Sequence, residues 1–199
     1  MESRIVDLTR DAGDLVQQAA ILLRDTFRHR TEDWQDIDSA RQEVMESIRS
    51  GRISQVAVDA SGTMLGWVGA IGMCRGRVWE LHPLVVAKSH RRQGIGRALV
   101  QNLERILAER GAMTLWLGSD DQNDETSLSG IDLYADVPGA IRSFTKARGD
   151  HPCEFYRRVG FRVTGVMPDA NGLGKPDIFF AKRIGTSNRR LLNPQSRAG

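Results

Sequence analysis

Hydrophobic residues recur along this chain with two spacings, one typical of strands and one typical of helices. The stretch Trp79–Val86 is apolar and ends in β-branched residues, which predicts a buried strand. Beyond a polar link, apolar residues return at helical spacing, at Ala98, Leu99, Val100, Leu103, Ile106 and Leu107. Met113–Gly118 predicts another strand. The unit should therefore be strand, glycine turn, helix and parallel strand, joined by a right-handed crossover.

The same patterns predict further elements on both sides of this unit. They are a strand at Arg4–Leu8, a helix from about Asp11, a helix capped by Ser39, hairpin strands Ile53–Val58 and Leu65–Ile71, helical residues 140–147, a short helix within 151–160, and strands Arg162–Met167 and Asp177–Arg183. The sequence shows no internal repeat and no second core. We therefore expect a single domain over residues 1–184 and a mobile basic tail over residues 185–199.

Composition is that of a soluble globular protein. The 199 residues are 40% hydrophobic and 27% charged, and no apolar run approaches the ~18 residues that a membrane helix needs. The first residues, Met1–Arg4, lack the hydrophobic segment of a signal peptide, so we expect a cytoplasmic protein with no membrane partner. Cys74 and Cys153 lie far apart without a metal-binding pattern, which predicts reduced buried thiols and no metal site.

Charge is distributed unevenly along the chain. The pI of about 9.2 owes much to the last 18 residues, which hold five basic residues and no acid. Without those five, 23 basic residues remain against 25 acidic ones, so we expect no nucleic-acid partner. The segment Ser119–Ala140 has no Lys or Arg but six acids: Asp120, Asp121, Asp124, Glu125, Asp132 and Asp136. Such a run is either a solvated loop or a region that concentrates a cationic ligand.

The glycine turn before the predicted central helix suits a phosphate. Unpaired backbone N–H groups, the positive end of the helix dipole and nearby arginines converge there. A Walker A loop is excluded because Gly-x4-Gly-Lys-Ser/Thr is absent, and the dinucleotide-binding fingerprint is excluded because its third glycine is missing. What remains is Arg-x-x-Gly-x-Gly, from Arg91 to Gly96, after a central strand.

With Phe155-Tyr156 and Gly160-Phe161, this turn resembles that of the GCN5-related N-acetyltransferase (GNAT) superfamily, where it binds the pyrophosphate of acetyl-CoA. Over about Ile53–Ile184 the chain also resembles one branch of the aminoglycoside 6′-N-acetyltransferases. The motifs that carry this second resemblance are Trp79-Glu80-Leu81-His82-Pro83-Leu84-Val85-Val86, Leu117-Gly118-Ser119-Asp120-Asp121, Thr126-Ser127-Leu128-Ser129, His151-Pro152-x-Glu154-Phe155-Tyr156 and Asn171-Gly172-x-x-Lys175-Pro176-Asp177-Ile178.

The resemblance implies a GNAT fold of the mixed α/β class. The sheet would be antiparallel at its start and splayed after Glu80, with helices on both faces. The backbone N–H of Leu84 would stabilise the tetrahedral intermediate, and Val86 would bind the pantetheine arm. Tyr156 would protonate the leaving thiolate or would only pack its ring. The residues expected to bind acetyl-CoA are Leu84, Val85, Val86, Arg91, Arg92, Gln93, Gly94, Ile95, Gly96, Arg97 and Tyr156.

The acceptor implied by the resemblance is an aminoglycoside, whose amines are largely protonated at neutral pH. Acetyl transfer needs a neutral amine, so a carboxylate must hold the cation and help remove a proton. Glu80 is expected to bind the amine and to act as general base, directly or through water, unless it is a strand-edge acid paired with Arg77 or His82. His82 would relay a proton or serve only as a structural residue.

Further acids should lie near the acceptor. Asp120 and Asp121 follow the strand after the cofactor helix, at the same sheet end, and are expected to bind ammonium groups. Trp34 would contact the acceptor or pack at the surface. The remaining acids are expected to act mainly as caps or surface charges, with acceptor binding second: Asp132, Asp136 and Asp177.

Two other functions fit the sequence. One is a GNAT enzyme that acetylates a polyamine or a protein amine, with which the acidic segment is equally compatible. The other is a non-catalytic protein that binds CoA, or binds nucleic acid through the basic tail. Members of the family are often dimers, so the resemblance implies a homodimer.

Overall fold

The computed structural model describes residues 3–28, 33–146 and 148–185, and within them seven strands form one sheet flanked by five helices. In chain order they are β1 (Arg4–Asp7), α1 (Gly13–Phe27), α2 (Ile37–Ser47), β2 (Arg52–Val58), β3 (Met64–Met73), β4 (Val78–Val86), α3 (Ile95–Glu109), β5 (Thr114–Asp120), α4 (Val137–Arg142), α5 (Cys153–Arg158), β6 (Arg162–Met167) and β7 (Asp177–Arg183). Residues 186–199, most of the predicted tail, lie outside the described residues.

The sheet contains both parallel and antiparallel strand pairs, and two neighbouring strands separate along part of their length. Its strand order is β1-β2-β3-β4-β5-β7-β6. All neighbours run antiparallel except β4 and β5, which are parallel and connected through α3. Only Val78–Glu80 pair with Thr114–Trp116, so the two strands separate after Glu80. The predicted fold class, with its antiparallel start and its splay after Glu80, is confirmed.

Apolar side chains cover both faces of the sheet. On one face α3 buries Leu99, Leu103 and Leu107, which recur at one-turn spacing and pack against β3, β4, β5 and β7. On the other face α1 and α2 cover β2, β3 and β4. Trp116 of β5 and Phe179 of β7 belong to neither cluster and stay partly exposed. The second face is therefore covered near β2–β4 and open near β5 and β7.

Two details of the helices differ from the prediction. The N-cap of α2 is Asp36, whose carboxylate accepts the backbone N–H of Ser39 at 2.8 Å, so the predicted cap at Ser39 is wrong. The helix expected within residues 140–147 is α4, which begins earlier because Asp136 caps it through the N–H of Gly139, also at 2.8 Å. Asp136 is thus a cap, as expected.

Both cysteines are free, but only one is buried. Cys153 begins α5 inside the core, whereas Cys74 lies exposed in the turn between β3 and β4. The prediction of two buried thiols is therefore wrong for Cys74. In the part of the chain that the structure describes, the helices are all too short or too polar to cross a membrane.

Candidate active site

Glu80 lies at the last rung of the ladder between β4 and β5. Its neighbours Trp79 and Leu81 pack in the α3-side cluster, so alternation along the strand places Glu80 on the opposite face. Its Cα partner on β5 is Trp116. The side chain of Glu80 is only half-buried, and it stands where the gap between the two strands opens.

Just after Glu80, a β-bulge in β4 reverses the alternation, so that the following side chains point to the opposite faces of the sheet from those that a regular strand would give. His82 and Pro83 together lie opposite the single residue Gly69 of β3. A side chain at Gly69 would collide with the carbonyl oxygen of His82, so the close approach requires glycine. Beyond the bulge Val85 packs with α1 and α2, and Leu84 packs on the α3 side. One strand thus offers Glu80 to one face of the sheet and Leu84 to the other.

The glycine turn holds the start of α3 in a fixed shape. Gly94 caps the helix at φ 89°, in the left-handed region that favours glycine. The Arg91 Nε donates to the carbonyl of Val86 at 3.2 Å, and the Gln93 amide donates to the carbonyl of Ser89 at 3.0 Å. These two side chains therefore brace the turn. The first N–H groups of the 15-residue helix have no intrahelical partner and face outward as a site for an anion.

Three residues expected to bind the cofactor face inward instead of toward this anion site. Ile95 and Val85 are buried in the two cores. A Cβ at Gly96 would lie 3.3 Å from the ring of Phe155 and 3.5 Å from Val86. Glycine at position 96 therefore lets α5 pack against the start of α3, which the sequence did not predict. These three residues can therefore contact a cofactor through their backbone groups only.

Helix α5 brings Tyr156 to the α3 side of the sheet. Its ring packs edge-on against Phe155 and Phe161, with centroids 5.5 and 5.8 Å away. Burial raises the pKa of Tyr156 to about 12, so the phenol keeps its proton through the neutral range. A protonated hydroxyl can donate to a developing thiolate.

His151 is a residue that sequence reasoning underrated. It is 3% exposed, its Nε2 lies 3.4 Å from the hydroxyl of Ser119, and its Nδ1 accepts the N–H of Cys153 at 3.2 Å. These contacts join the end of β5 to the start of α5. The only signal was its place in a motif, His151-Pro152, two residues before the helix.

Three carboxylates lie on the open face of the sheet. Glu80 pairs with Trp116, and Asp120 follows four residues later on the same face of β5. Asp177 is the Cα partner of Asp120 on β7. The rings of Trp116 and Phe179 meet edge-to-face on this surface at 5.8 Å. We call these three acids and two rings the acid face; it combines negative charge with a flat apolar area, which suits a cationic ligand.

Asp121 does not belong to the acid face. It is 1% exposed, and its carboxylate accepts the N–H groups of Glu125 and Thr126 at 2.7 and 2.9 Å and the hydroxyl of Ser129 at 2.6 Å. Although burial opposes it, these hydrogen bonds hold the pKa of Asp121 below its ordinary value. The structure gives this residue the task of fixing the loop after β5, and it offers no free oxygen to an ammonium group.

The pKa of Asp177 is shifted in the opposite direction, upward. Its Oδ1 is buried and has no hydrogen-bond partner among the described residues. Burial raises its pKa to about 6, helped by the charges of Asp120 and Glu80 and opposed by backbone N–H groups. The Asp177 side chain is thus partly buried, with one oxygen withdrawn from water.

Trp34 and His82 meet beside the acid face. The Trp34 ring lies 5.8 Å from the His82 ring and 5.1 Å from that of Phe27. His82 Nε2 lies 3.6 Å from a carboxylate oxygen of Glu43 on α2. Although burial lowers it, Glu43 and then Glu80 raise the pKa of His82 above its ordinary value. His82 is thus held by Glu43, and Trp34 packs against that pair.

A family model described as the acetyltransferase (GNAT) family matches residues 17–135, which is more than half of the chain. The chain belongs to the GNAT family. The resemblance inferred from the glycine turn is confirmed. This GNAT chain is 39% identical to an aminoglycoside 6′-N-acetyltransferase complexed with coenzyme A, over 93% of this chain and 99% of that one, with a TM-score of 0.85. It is 40% identical to the aminoglycoside 6′-N-acetyltransferase from Enterococcus faecium, with the same coverage and a TM-score of 0.84.

A third GNAT structure, an aminoglycoside 6′-acetyltransferase type Ii, is 35% identical at the same coverage with a TM-score of 0.71. The comparison with curated proteins gave no match. Among the described residues, no group of three or more His, Cys, Asp or Glu side chains is arranged to hold a metal ion. In this GNAT chain the structure brings Glu80 and Asp120 to one face, packs Trp34 against His82, and withdraws Asp121 into a loop.

Proposed function

We propose that this chain transfers the acetyl group of acetyl-CoA to the 6′-amine of aminoglycosides and so confers resistance to them. The observation that carries the proposal is the 39–40% identity, over 93% of the chain, to two aminoglycoside 6′-N-acetyltransferases. The acid face supports it, because a polyamine acceptor needs several carboxylates that are within reach together. Exposed ion pairs contribute only about 0–1 kcal/mol each, so such an acceptor is held by a group of acids.

The residues around the gap in the sheet fit acetyl-CoA. The free N–H groups at the start of α3, shaped by Gly94 and flanked by Arg92 and Arg97, would hold its pyrophosphate. The splayed edge of β4 from Leu84 to Val86 would bind the pantetheine arm by backbone hydrogen bonds, as an added strand does. The thioester then lies between Glu80 on one side and Tyr156 on the other.

When bound, acetyl-CoA supplies the thioester carbonyl that the amine attacks. Glu80 holds the reacting ammonium group and accepts one of its protons, directly or through water, which frees the nitrogen lone pair. The N–H of Leu84 donates to the carbonyl oxygen as negative charge develops there. Formation of the C–N bond would give a tetrahedral intermediate, and its collapse would break the C–S bond. The Tyr156 hydroxyl would donate its proton to the departing sulfur, and the second proton of the amine nitrogen would pass through water to Tyr156, which leaves a neutral amide, a free thiol and a protonated Glu80. Glu43 keeps His82 in place beside this path.

Release of free thiol from acetyl-CoA tests the proposal. Kanamycin and tobramycin should each produce thiol well above the background rate, and absence of release with both would refute the assignment. Glu80→Gln should lower kcat by about 10²-fold to 10⁴-fold. Glu109→Gln removes the same charge from an exposed helical site paired with Arg105 and should leave kcat unchanged. Spermidine and a short peptide, offered as competing acceptors, should be acetylated far more slowly.

We further propose a cytoplasmic homodimer, because acetyl-CoA is a cytoplasmic metabolite and because, among the described residues, the sheet ends in a strand whose outer edge pairs with no other strand. β6 is an edge strand, and Met167 at its end is 51% exposed. Light scattering after gel filtration should give twice the mass of the 22.1 kDa chain. Removing the residues after Gly185 should leave acetylation intact, whereas a nucleic-acid-binding role would be lost.

A further inference from the structure

Helix α5 is too short to hold its own position. It has six residues, Cys153–Arg158, whereas an isolated helix of fewer than about 12 residues is marginal in water. This helix nevertheless carries Phe155, which packs against Gly96 at the start of α3, and Tyr156, the proposed proton donor to the departing sulfur. The placement of both side chains therefore depends on the contacts that fix the two ends of α5.

The ring of Tyr156 has little freedom to compensate for a displaced helix. Besides the rings of Phe155 and Phe161, the ring of Phe180 on β7 packs against it, with centroids 5.6 Å apart. A side chain in a close-packed core stays in one rotamer, so the phenol moves only with the backbone of α5. A displacement of about 1 Å at a reacting group can cost about 10²-fold in rate. The anchoring of α5 is therefore a determinant of the reaction rate.

His151 fixes the first turn of α5 to the end of β5. Its Nδ1 accepts the N–H of Cys153 at 3.2 Å, one of the donors that the start of a helix leaves without an intrahelical partner. A ring nitrogen that accepts carries no proton, so the proton of the neutral ring lies on Nε2, which faces the hydroxyl of Ser119 on β5 at 3.4 Å. The N–H of Tyr156 donates to the carbonyl of Pro152, the residue after His151. One buried side chain thus joins β5 to the turn that leads into Tyr156.

The other end of α5 is held from a different direction. The Lys182 ammonium on β7 donates to the carbonyl of Val159, the C-cap of α5, and to the carboxylate of Glu104 on α3, each at 2.6 Å. Lys182 therefore ties α5 to β7 and α3. His151 ties it to β5, the strand that borders the gap in which the thioester is proposed to lie.

We propose that His151 is a positioning residue for acetyl transfer, which fixes α5 against β5 so that the Tyr156 hydroxyl stands at the sulfur of bound acetyl-CoA. The inference rests on the proposed function and assigns a residue that supports its proton donor. His151 needs no contact with either substrate for this role. Its loss should therefore act through Tyr156, slowing the chemical step and leaving the binding of the acceptor unchanged.

Substitutions at His151 test the role in single turnovers with saturating acetyl-CoA and tobramycin. His151→Ala should slow acetyl transfer about 10-fold to 100-fold, while the steady-state KM for tobramycin changes less than about threefold. His151→Asn should recover most of the rate, because its amide oxygen can accept the N–H of Cys153 in place of Nδ1. Val58→Ala also leaves a buried cavity, but it lies on β2, three strands from β5, and should keep the wild-type rate.

A double-mutant cycle with Tyr156→Phe separates positioning from a general loss of structure. Tyr156→Phe should itself slow the turnover about 10²-fold. Adding His151→Ala should then slow it less than about twofold further, because the hydroxyl that His151 positions is already absent. Ser119→Ala, a milder variant that removes the contact on β5, should slow the turnover about threefold to tenfold, again only when Tyr156 is present.

The outcomes distinguish this inference from the proposed function. Equal slowing in both backgrounds, or a Tyr156→Phe enzyme that transfers acetyl at the wild-type rate, overturns the inference and leaves the proposed function standing. A wild type that acetylates no aminoglycoside overturns both. Nitrogen-15 NMR of the wild type adds a readout that needs no substitution: the His151 ring should carry its proton on Nε2 under assay conditions, and a proton on Nδ1 would overturn the inference.

Discussion

Asp177→Asn should make the free protein more stable at neutral pH. Burial, with the charges of Asp120 and Glu80, raises the pKa of this carboxyl from 3.8 to about 6. Because the folded protein holds the proton more tightly than the unfolded chain, the free energy of unfolding of the wild type falls as pH rises from about 4 to about 6, and it stays lowered above that range. At 1.36 kcal/mol per pH unit the ceiling is about 3 kcal/mol, and partial contact with water reduces the expected effect to about 1.5 kcal/mol.

Urea titrations of both proteins at about pH 4 and about pH 8 measure this effect. The variant's advantage in free energy of unfolding should be small at the lower pH and should grow by most of the expected 1.5 kcal/mol at the higher one. All other titrating groups are common to the two proteins, so they cancel in the difference. A constant difference, or a variant that is less stable at about pH 8, would mean that Asp177 already has a partner and would refute the reasoning.

Three other substitutions test how the site is supported. Gly94→Ala places a side chain at φ 89° and should lower stability by about 1 kcal/mol and raise KM for acetyl-CoA, measured by urea titration and thiol release. Lys182→Met removes the ammonium that contacts Glu104 at 2.6 Å, and urea titration should show a loss of about 2 kcal/mol because Glu104 is left partly buried. Asp121→Asn weakens the bonds that close its loop, so it should cost about 1–3 kcal/mol and speed limited proteolysis there.

Sequence patterns were sufficient for the elements whose signals are local. The strands Arg162–Met167 and Asp177–Arg183 coincide with β6 and β7, the central strand begins within a residue of β4, and the apolar residues predicted as helical, from Ala98 to Leu107, all lie in α3. The cap of α2 was misplaced because both Asp36 and Ser39 are good cap residues, and only the backbone shows which one begins the helix. The splay after Glu80 came from family resemblance, since no local pattern reports where a ladder ends.

The roles of individual acids were beyond sequence reasoning. Asp120, Asp121 and Asp177 each lie at a strand end, and nothing in their neighbours along the chain separates them. Whether each acid faces the acid face or is hydrogen-bonded inside a loop depends on the register of β5 with β7. It also depends on the hydrogen-bond donors of the folded loop, namely Ser129 and the N–H groups near it. The expectation of a cationic ligand stays a prediction, and two acids of the acid face, Glu80 and Asp177, lie outside the acidic run that suggested it.

The bulge in β4 gives one strand the two faces that the proposed mechanism requires. Without it, strand alternation would keep Glu80 and Leu84 on the same face, and the acceptor amine and the cofactor arm would compete for one surface. The extra residue opposite Gly69 moves Leu84 to the α3 side, beside the helix whose start would hold the phosphates. The acid face then lies on one side of the sheet and the groups proposed to bind acetyl-CoA on the other, and the gap where β5 leaves β4 connects the two sides. Gly69 is therefore as necessary to this arrangement as the glycines of the turn, although it lies on a neighbouring strand and in no recognised motif.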